Sequence, residues 1–114
     1  MINALTELDA DLKANGKEFK DIIAAYIEYR PTFDDEDNKP FTLYPDWTNE
    51  ECKAFCDFMN FEYDDGYGTQ HLFGTIWLGN NTWFERHEYD GSEHWVYQEC
   101  PELPSRIATA LGEV

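Results

Sequence analysis

Hydrophobic residues recur at helical spacing near the start of the chain. The apolar positions there lie three or four residues apart: Ile2, Leu5, Leu8 and Leu12. This spacing predicts an amphipathic helix over residues 2–14, because such positions share one face of a 3.6-residue turn. The pair Asn15-Gly16 predicts the end of that helix, since both residue types favour a helix C-terminus.

A second helix is predicted over residues 49–59. Thr48 and Glu51 have the spacing of a capping box, in which each side chain accepts a hydrogen bond from the other residue's backbone N–H. The apolar positions that follow keep the i, i+3, i+4, i+7 pattern: Cys52, Phe55, Cys56 and Met59. This pattern predicts one buried face, in which the two thiols act as small hydrophobic groups.

Residues 20–30 fit both a helical stripe and one face of a strand. Their β-branched and aromatic residues, followed by Pro31, favour a strand. Residues 34–40, with the sequence DDEDNKP, are predicted to form a solvated loop. Residues 41–44 would then be the returning strand of a hairpin.

From residue 70 onward the pattern is typical of strands. Three runs, HLFGTIWL, TWFERHEY and SEHWVYQ, are separated by GNN at 79–81 and by DG at 90–91. Asn, Asp and Gly supply the positive φ that two-residue hairpin turns require, so this segment predicts a three-stranded meander. Pro101 and Pro104 would end the last strand, and residues 105–111 are predicted to form a short closing helix.

Two-residue turns would also decide which side chains share a face of the meander. One predicted face carries Phe73, Thr75, Trp77, Phe84, Arg86, Glu88, Trp95 and Tyr97. The other carries Leu72, Ile76, Leu78, Trp83, Glu85, His87, Tyr89, His94 and Val96. A three-residue loop at either turn would exchange the faces of one strand. Both faces are too apolar for bare solvent, so we expect helices on one and either N-terminal elements or a partner on the other.

These elements predict a single α+β domain over residues 1–114, in the order α-β-β-α-β-β-β, with two helices packed on an antiparallel sheet. The sequence contains no internal repeat and no linker. Its 8 Phe, 4 Trp and 7 Tyr residues exclude an intrinsically disordered acidic tail, which would be poor in aromatic residues.

Acidic residues greatly outnumber basic ones. The chain has 24 Asp and Glu against 8 Lys and Arg, which gives a net charge of −16. Such a surface repels phosphate backbones and anionic membranes, which argues against direct binding of either. No apolar run is long enough to span a membrane, and the N-terminus lacks the pattern of a secretion signal. Three cysteines, an odd number, predict reduced thiols and a cytoplasmic protein.

The acids are unevenly spread, and most fall in residues 28–65 and 85–102. Carboxylates held on a folded domain can imitate the phosphate rows of a nucleic acid and occupy a basic groove. The alternative is an acidic surface that only confers solubility. The candidate partner-binding residues come from two acidic segments and the tyrosines beside them: Asp34, Asp35, Glu36, Asp37, Glu62, Tyr63, Asp64, Asp65 and Tyr67.

Other chemistry has weaker support. Residues 34–38 offer alternating oxygen ligands but lack the glycine and the final acid of an EF-hand. Glu85, His87 and His94 would lie together across the second hairpin and could hold a metal, although a plain cross-strand polar pair is the alternative. No P-loop, GxGxxG, GxSxG, CxxC or HExxH motif is present. We therefore expect neither an enzyme nor a bound cofactor.

Residues 61–104 resemble a segment of small acidic proteins of phages and prophages. The motifs that carry the resemblance are YDDGYGTQ, LFGTIW, TWFER and EYDGSEHW. The likeness extends more loosely upstream through AAYIEY, which is a strand in that group, and through the helix at 48–59. The resemblance implies viral interference with a host and assigns no catalytic residues.

Charge and resemblance together lead to the hypothesis of a non-enzymatic inhibitor in the host cytoplasm. It would fill the basic groove of a host protein that handles nucleic acid, such as a nuclease, restriction or CRISPR complex. One alternative is a structural or interaction module, or an oligomer, that uses an exposed aromatic sheet face. Another is a metal-dependent binding protein. Electrostatic binding would weaken steeply with salt, whereas a hydrophobic sheet interface would barely respond.

Overall fold

The computed structural model describes residues 1–32, 34–64, 69–89 and 92–100. Short 3₁₀ turns lie at Phe19–Asp21 and Asp35–Asp37. The helices and strands of the described residues, in chain order, are β1 (Ile2–Asn3), α1 (Ala4–Ala14), β2 (Ile22–Tyr29), β3 (Lys39–Leu43), α2 (Asn49–Met59), β4 (Glu62–Tyr63), β5 (Leu72–Leu78), β6 (Thr82–Tyr89) and β7 (Ser92–Glu99).

The larger sheet has five strands in the order β3-β2-β5-β6-β7, and every neighbouring pair is antiparallel. A separate antiparallel pair joins β1 to β4. The predicted α+β class and the C-terminal meander β5-β6-β7 are confirmed. The segment that carries α2 connects β3 to the central strand β5, so the two halves of the sheet meet at the β2–β5 pair. The predicted closing helix at 105–111 lies outside the described residues.

Both helices begin at side-chain caps. The Asn3 side chain accepts a hydrogen bond from the Thr6 N–H, and α1 begins at Ala4 because Ile2 and Asn3 pair with β4 instead. At α2 the Thr48 hydroxyl accepts from the Glu51 N–H and the Glu51 carboxylate accepts from the Thr48 N–H, both at 3.2 Å. The predicted capping box and the predicted helix over residues 49–59 are therefore confirmed.

The ambiguous segment at residues 20–30 forms the strand β2, as predicted. Its hairpin partner β3 starts at Lys39, earlier than the predicted strand at 41–44, so the predicted loop does not extend to residue 40. Pro40 has no N–H to donate to a neighbouring strand. It is tolerated in β3 because β3 is an edge strand of the sheet.

One face of the sheet, the core face, packs against both helices. Its strand residues alternate with solvent-facing ones, as the period of a β-strand requires. The buried hydrophobic residues are Ala4, Leu8, Leu12, Ile22, Ala25, Ile27, Leu43, Phe55, Met59, Tyr63, Leu72, Ile76, Leu78, Phe84 and Trp95.

The predicted faces are correct for the β6–β7 hairpin and wrong for β5. Ile76 lies opposite Phe84 on the core face, and Trp77 lies opposite Trp83 on the other face. The cause is the connection at residues 79–81, which has three residues with positive φ at both asparagines. An odd loop length exchanges the two faces of one strand relative to a two-residue turn.

Candidate interaction surfaces

Two acidic segments that are far apart in sequence lie at the same end of the sheet. Neighbouring strands run in opposite directions, so the end of β2 and the start of β3 share one sheet end with the start of β5. The connection at residues 30–38 therefore lies beside the segment that leads into β5. The Tyr29 and Phe61 rings stack at 3.9 Å, which also places β4 beside the end of β2.

We call this region the acidic end. The described carboxylates at this end are exposed. They belong to Asp34, Glu36, Asp37, Glu62, Asp64 and, near the end of β6, Glu88. The basic residues nearby are Lys39 and Arg30, and the Arg30 Nε donates to the Glu28 carboxylate at 2.8 Å. Negative charge therefore dominates this end.

The opposite end of the sheet is closer to charge balance. The last turn of α1 and the chain between α1 and β2 reach it, and they carry Lys13, Lys17 and Lys20. Lys13 pairs with Asp9 at 2.8 Å, and Lys20 pairs with Glu18 at 3.0 Å. These ion pairs neutralise Asp9 and Glu18, while Asp46, Glu50 and Glu99 keep some negative charge at this end. Among the described residues, the opposite end is therefore less dominated by negative charge than the acidic end.

Local hydrogen bonds hold the first acidic segment in shape. The Asp34 carboxylate accepts from the Glu36 N–H at 3.0 Å. The Thr32 hydroxyl donates to the Asp37 carboxylate at 2.8 Å and accepts from the Asp34 N–H at 3.1 Å. Asp35 is part of the same 3₁₀ turn. The segment thus presents carboxylates on an ordered turn.

The second predicted segment is only partly described. Glu62 and Asp64 are exposed, whereas Asp65 and Tyr67 lie outside the described residues. The prediction that Tyr63 is an exposed contact is wrong, because only 3% of its surface is accessible. Tyr63 pairs with Ile2 in the β1–β4 ladder, which turns its ring inward.

Tyr63 belongs to a buried polar network centred on Arg86. The Arg86 guanidinium donates to Glu7 at 3.0 Å and to Glu93 at 2.9 and 3.2 Å, and its side chain has no accessible surface. It also donates to the Tyr63 hydroxyl, which in turn donates to Glu7. The Trp95 ring lies 5.0 Å from the guanidinium carbon. The network ties α1 and β4 to the β6–β7 hairpin.

Burial sets the protonation behaviour of this network. It raises the pKa of Glu7, although Arg86 and the Tyr63 hydroxyl act in the opposite direction. Burial likewise raises the pKa of the Tyr63 hydroxyl. Burial lowers the pKa of Arg86, but the nearby Glu7 and Tyr63 outweigh it and leave that pKa raised.

Sequence reasoning missed this network. The predicted face pattern places Arg86 with Phe84 and Trp95. A single cation among aromatic core residues is the one feature of the sequence that indicates a buried, paired arginine. The acids that pair with Arg86 come from α1 and β7, and no sequence spacing links them to it. Because the side chains are buried and paired, the arrangement stabilises the fold and offers no reactive group to solvent.

The second candidate surface is the sheet face opposite the helices, which we call the outer face. Tyr26 and Trp77 are 42% and 44% exposed there, although both are large aromatic residues. An open groove of about 850 Å³ adjoins Trp77 at one end of the sheet. Its lining is largely apolar and includes Ile23, Trp83 and Cys100. Among the described residues both helices pack on the core face instead.

The predicted histidine pair is present, but it does not form a metal site. His87 lies opposite His94, and the His87 Nε2 is 3.1 Å from the Glu85 carboxylate. Within the described ranges no group of three His, Cys, Asp or Glu side chains could hold a metal ion. The pair therefore matches the cross-strand polar alternative.

The cysteines show no sign of redox or nucleophilic chemistry. Cys52 and Cys56 are half-buried, less than the predicted burial, and Cys100 is exposed. Cys52 and Cys56 are free thiols. Burial raises the pKa of Cys56, which disfavours the reactive thiolate.

In comparisons with known proteins, no family model, no curated protein and no solved structure matches this chain. None of the helices in the described part of the chain has the length and apolar content to cross a membrane. The arguments about function therefore come from the geometry of the acidic end and the outer face.

Proposed function

We propose that this protein is a non-enzymatic acidic inhibitor that binds a basic groove of a host protein that handles nucleic acid. The acidic end enters the groove and blocks it, either by imitating a phosphate backbone or by steric occlusion. The contact residues are the acids at residues 34–37 together with Glu62 and Asp64. The resemblance to small acidic phage proteins agrees with such a role and stays a prediction.

The observation that carries the proposal is the meeting of two separate acidic segments at one end of the sheet. Carboxylates on a rigid scaffold attract a cationic groove over about 10 Å at 0.1 M salt. The ordered turn at Asp34–Asp37 keeps them from losing much side-chain freedom on binding. The opposite end, where lysines neutralise acids, lacks this property.

A pull-down from bacterial lysate tests the proposal. The immobilised protein is expected to capture basic nucleic-acid-binding proteins at low salt and to release them at high salt or with added duplex DNA. A variant that combines Asp34→Asn, Glu36→Gln and Asp37→Asn keeps the local acceptors and is expected to lose the capture.

The matched control removes the same charge at the opposite end of the sheet, with Asp46→Asn, Glu50→Gln and Glu99→Gln. It is expected to retain the captured proteins. Equal loss in both variants would show a response to net charge alone. That result, or the recovery of no basic nucleic-acid-binding protein, would contradict the proposal.

A second candidate function is an interaction module that uses the outer face. The specific observation in its favour is the aromatic exposure at Tyr26 and Trp77 beside an apolar groove. An apolar interface of this kind responds weakly to salt, which separates it from the leading proposal in the same pull-down.

A further inference from the structure

The outer face already binds one arginine of its own chain. The Arg30 guanidinium lies 4.3 Å from the centre of the Phe73 ring, and its Nε donates to the Glu28 carboxylate at 2.8 Å. Glu28 lies directly opposite Phe73 on the neighbouring strand. A flat cation therefore sits between an aromatic ring and a carboxylate supplied by adjacent strands. This combination is favourable for arginine because the guanidinium can stack and donate hydrogen bonds at once.

Aromatic residues and a carboxylate also share the outer face two residues further along β5. Thr75 lies between Tyr26 on β2 and Glu85 on β6, and Trp77 follows it on the same face. Glu85 is partly exposed and accepts a hydrogen bond from the Trp83 Nε1 at 2.7 Å. Together Tyr26, Trp77 and Glu85 offer two aromatic surfaces and one carboxylate, in an arrangement related to that around Arg30.

The charge at this second position favours a cationic occupant. Hydrogen bonds from Trp83 and His87 lower the pKa of Glu85, so its carboxylate is ionised at neutral pH. The titratable neighbours of Glu85 are two histidines. The His87 Nε2 is 3.1 Å from the Glu85 carboxylate, and His94 lies opposite His87 on β7. No lysine or arginine of the described residues forms an ion pair with Glu85. The whole molecule carries a charge of −16, which further attracts a basic partner.

We propose that the outer face binds arginine side chains of a basic protein partner, with a guanidinium placed among Tyr26, Trp77 and Glu85. This inference rests on the proposed use of the outer face as an interaction surface and does not need the acidic end. Arginine is preferred to lysine there, because a lysine ammonium ion cannot stack its charge flat on a ring while it meets the carboxylate. The groove beside Trp77 and Trp83 receives the apolar stem or a neighbouring apolar residue of the partner.

Two synthetic peptides of equal length and charge, one with arginines and one with lysines at the same positions, test the inference. Wild-type protein is expected to bind the arginine peptide roughly 2- to 5-fold more tightly, which corresponds to one exposed cation–π contact. In NMR spectra of the intact protein, the arginine peptide is expected to shift the indole N–H signals of Trp77 and Trp83 more than the lysine peptide does.

Variants assign the preference to the outer face. Trp77→Leu and Glu85→Gln are expected to reduce the arginine preference to about one-fold, while Tyr89→Leu leaves it unchanged. Tyr89 is a suitable control because it is 80% exposed and lies about 20 Å along β6 from Trp83. The indole signals of the wild-type protein give a readout that does not depend on the folding of any variant.

The outcomes separate the two surfaces. One outcome would overturn the inference and leave the leading proposal standing. In it both peptides bind equally, the Asp34, Glu36 and Asp37 variant loses this binding, and the indole signals do not shift. A concentration-dependent dimer that hides the outer face without peptide would overturn it as well, in favour of a second copy of the chain. An arginine preference that survives both Trp77→Leu and Glu85→Gln would also contradict it.

Discussion

At the scale of single residues, Arg86 is the position on which most of the interior depends. It is the one cation in a buried group that holds the Glu7 and Glu93 carboxylates and the Tyr63 hydroxyl. Burying charges is costly, and the cost is offset only when each charge keeps its partners. If one member is lost, the remaining charged groups stay buried in a low-dielectric interior without their partner.

Replacing Arg86 with methionine is expected to lower the free energy of unfolding by about 3–5 kcal/mol, because two buried carboxylates lose their cation. Urea denaturation followed by tryptophan fluorescence measures the change. Lys20→Met removes a cation from an exposed ion pair and is expected to leave the midpoint unchanged. A similar small effect at Arg86 would show that the network is not needed for stability.

The pH dependence of stability follows from the raised pKa of Glu7. A carboxyl whose pKa is higher in the folded protein contributes stability that is complete below about pH 4.5, its ordinary value, and is lost as pH rises through the folded value. Relative to Glu7→Gln, the wild-type protein is therefore expected to lose stability as pH rises above about 4.5.

Urea titrations of both proteins at several pH values check this expectation. The pKa of Asp11 is also raised by burial, and both proteins retain Asp11. A difference between wild type and variant that stays constant, or that favours the wild type as pH rises, would contradict the assigned direction of the pKa shift.

The sequence shows directly which residues are acidic or apolar. It does not show which polar residues become buried in the fold. Tyr63 illustrates the limit, since its strand β4 is only two residues long and shows no alternation. Its burial comes from pairing with Ile2 at the far end of the chain. From composition alone, tyrosines beside acidic residues fit an exposed loop as well as they fit the buried strand β4.

At the scale of elements, the β2–β5 pair is the tightest contact between the two halves of the sheet. Gly74 has φ near +141°, and a Cβ added there would lie 2.0 Å from the Tyr26 carbonyl oxygen. No side chain fits without separating the strands. The bounds of α2 and the identity of the main strands were predictable from caps and periodicity. The face of β5 was not, because it depends on the one extra residue in the loop at 79–81 that follows β5.

Gly74→Ala is expected to destabilise the protein by about 2–4 kcal/mol, since the added methyl group meets backbone and the φ value disfavours alanine. Gly79→Ala is the matched control, because an added Cβ there has no neighbour within 4 Å. It is expected to change the free energy of unfolding by no more than about 0.5 kcal/mol. Equal effects in thermal or urea unfolding would refute the close approach of β2 and β5.

At the scale of the whole molecule, net charge opposes folding. A domain with a charge of −16 gains repulsive energy on compaction, and salt screens that repulsion. The acidic end is the region where this effect is concentrated. The sequence predicts the two acidic segments, but their meeting at one end depends on the order β3-β2-β5, which periodicity does not supply.

Raising the NaCl concentration from roughly 0.01 to 0.5 M is expected to increase the free energy of unfolding at neutral pH, by on the order of 1 kcal/mol. Urea denaturation at each salt concentration provides the measurement. At about pH 4, where many carboxyl groups are protonated, the same salt change is expected to have little effect. Stability that falls with salt at neutral pH would mean that attractive ion pairs outweigh repulsion.

Among the described residues, the difference in charge between the two sheet ends amounts to an electric dipole along the strands. In the field of a cationic cavity the molecule turns before contact, so that residues 34–37 lead and the lysines near α1 trail. Encounters then begin in one preferred orientation, and the strands run parallel to the direction of entry. The aromatic rings of the outer face would consequently meet the wall of such a cavity, while the leading carboxylates reach its floor.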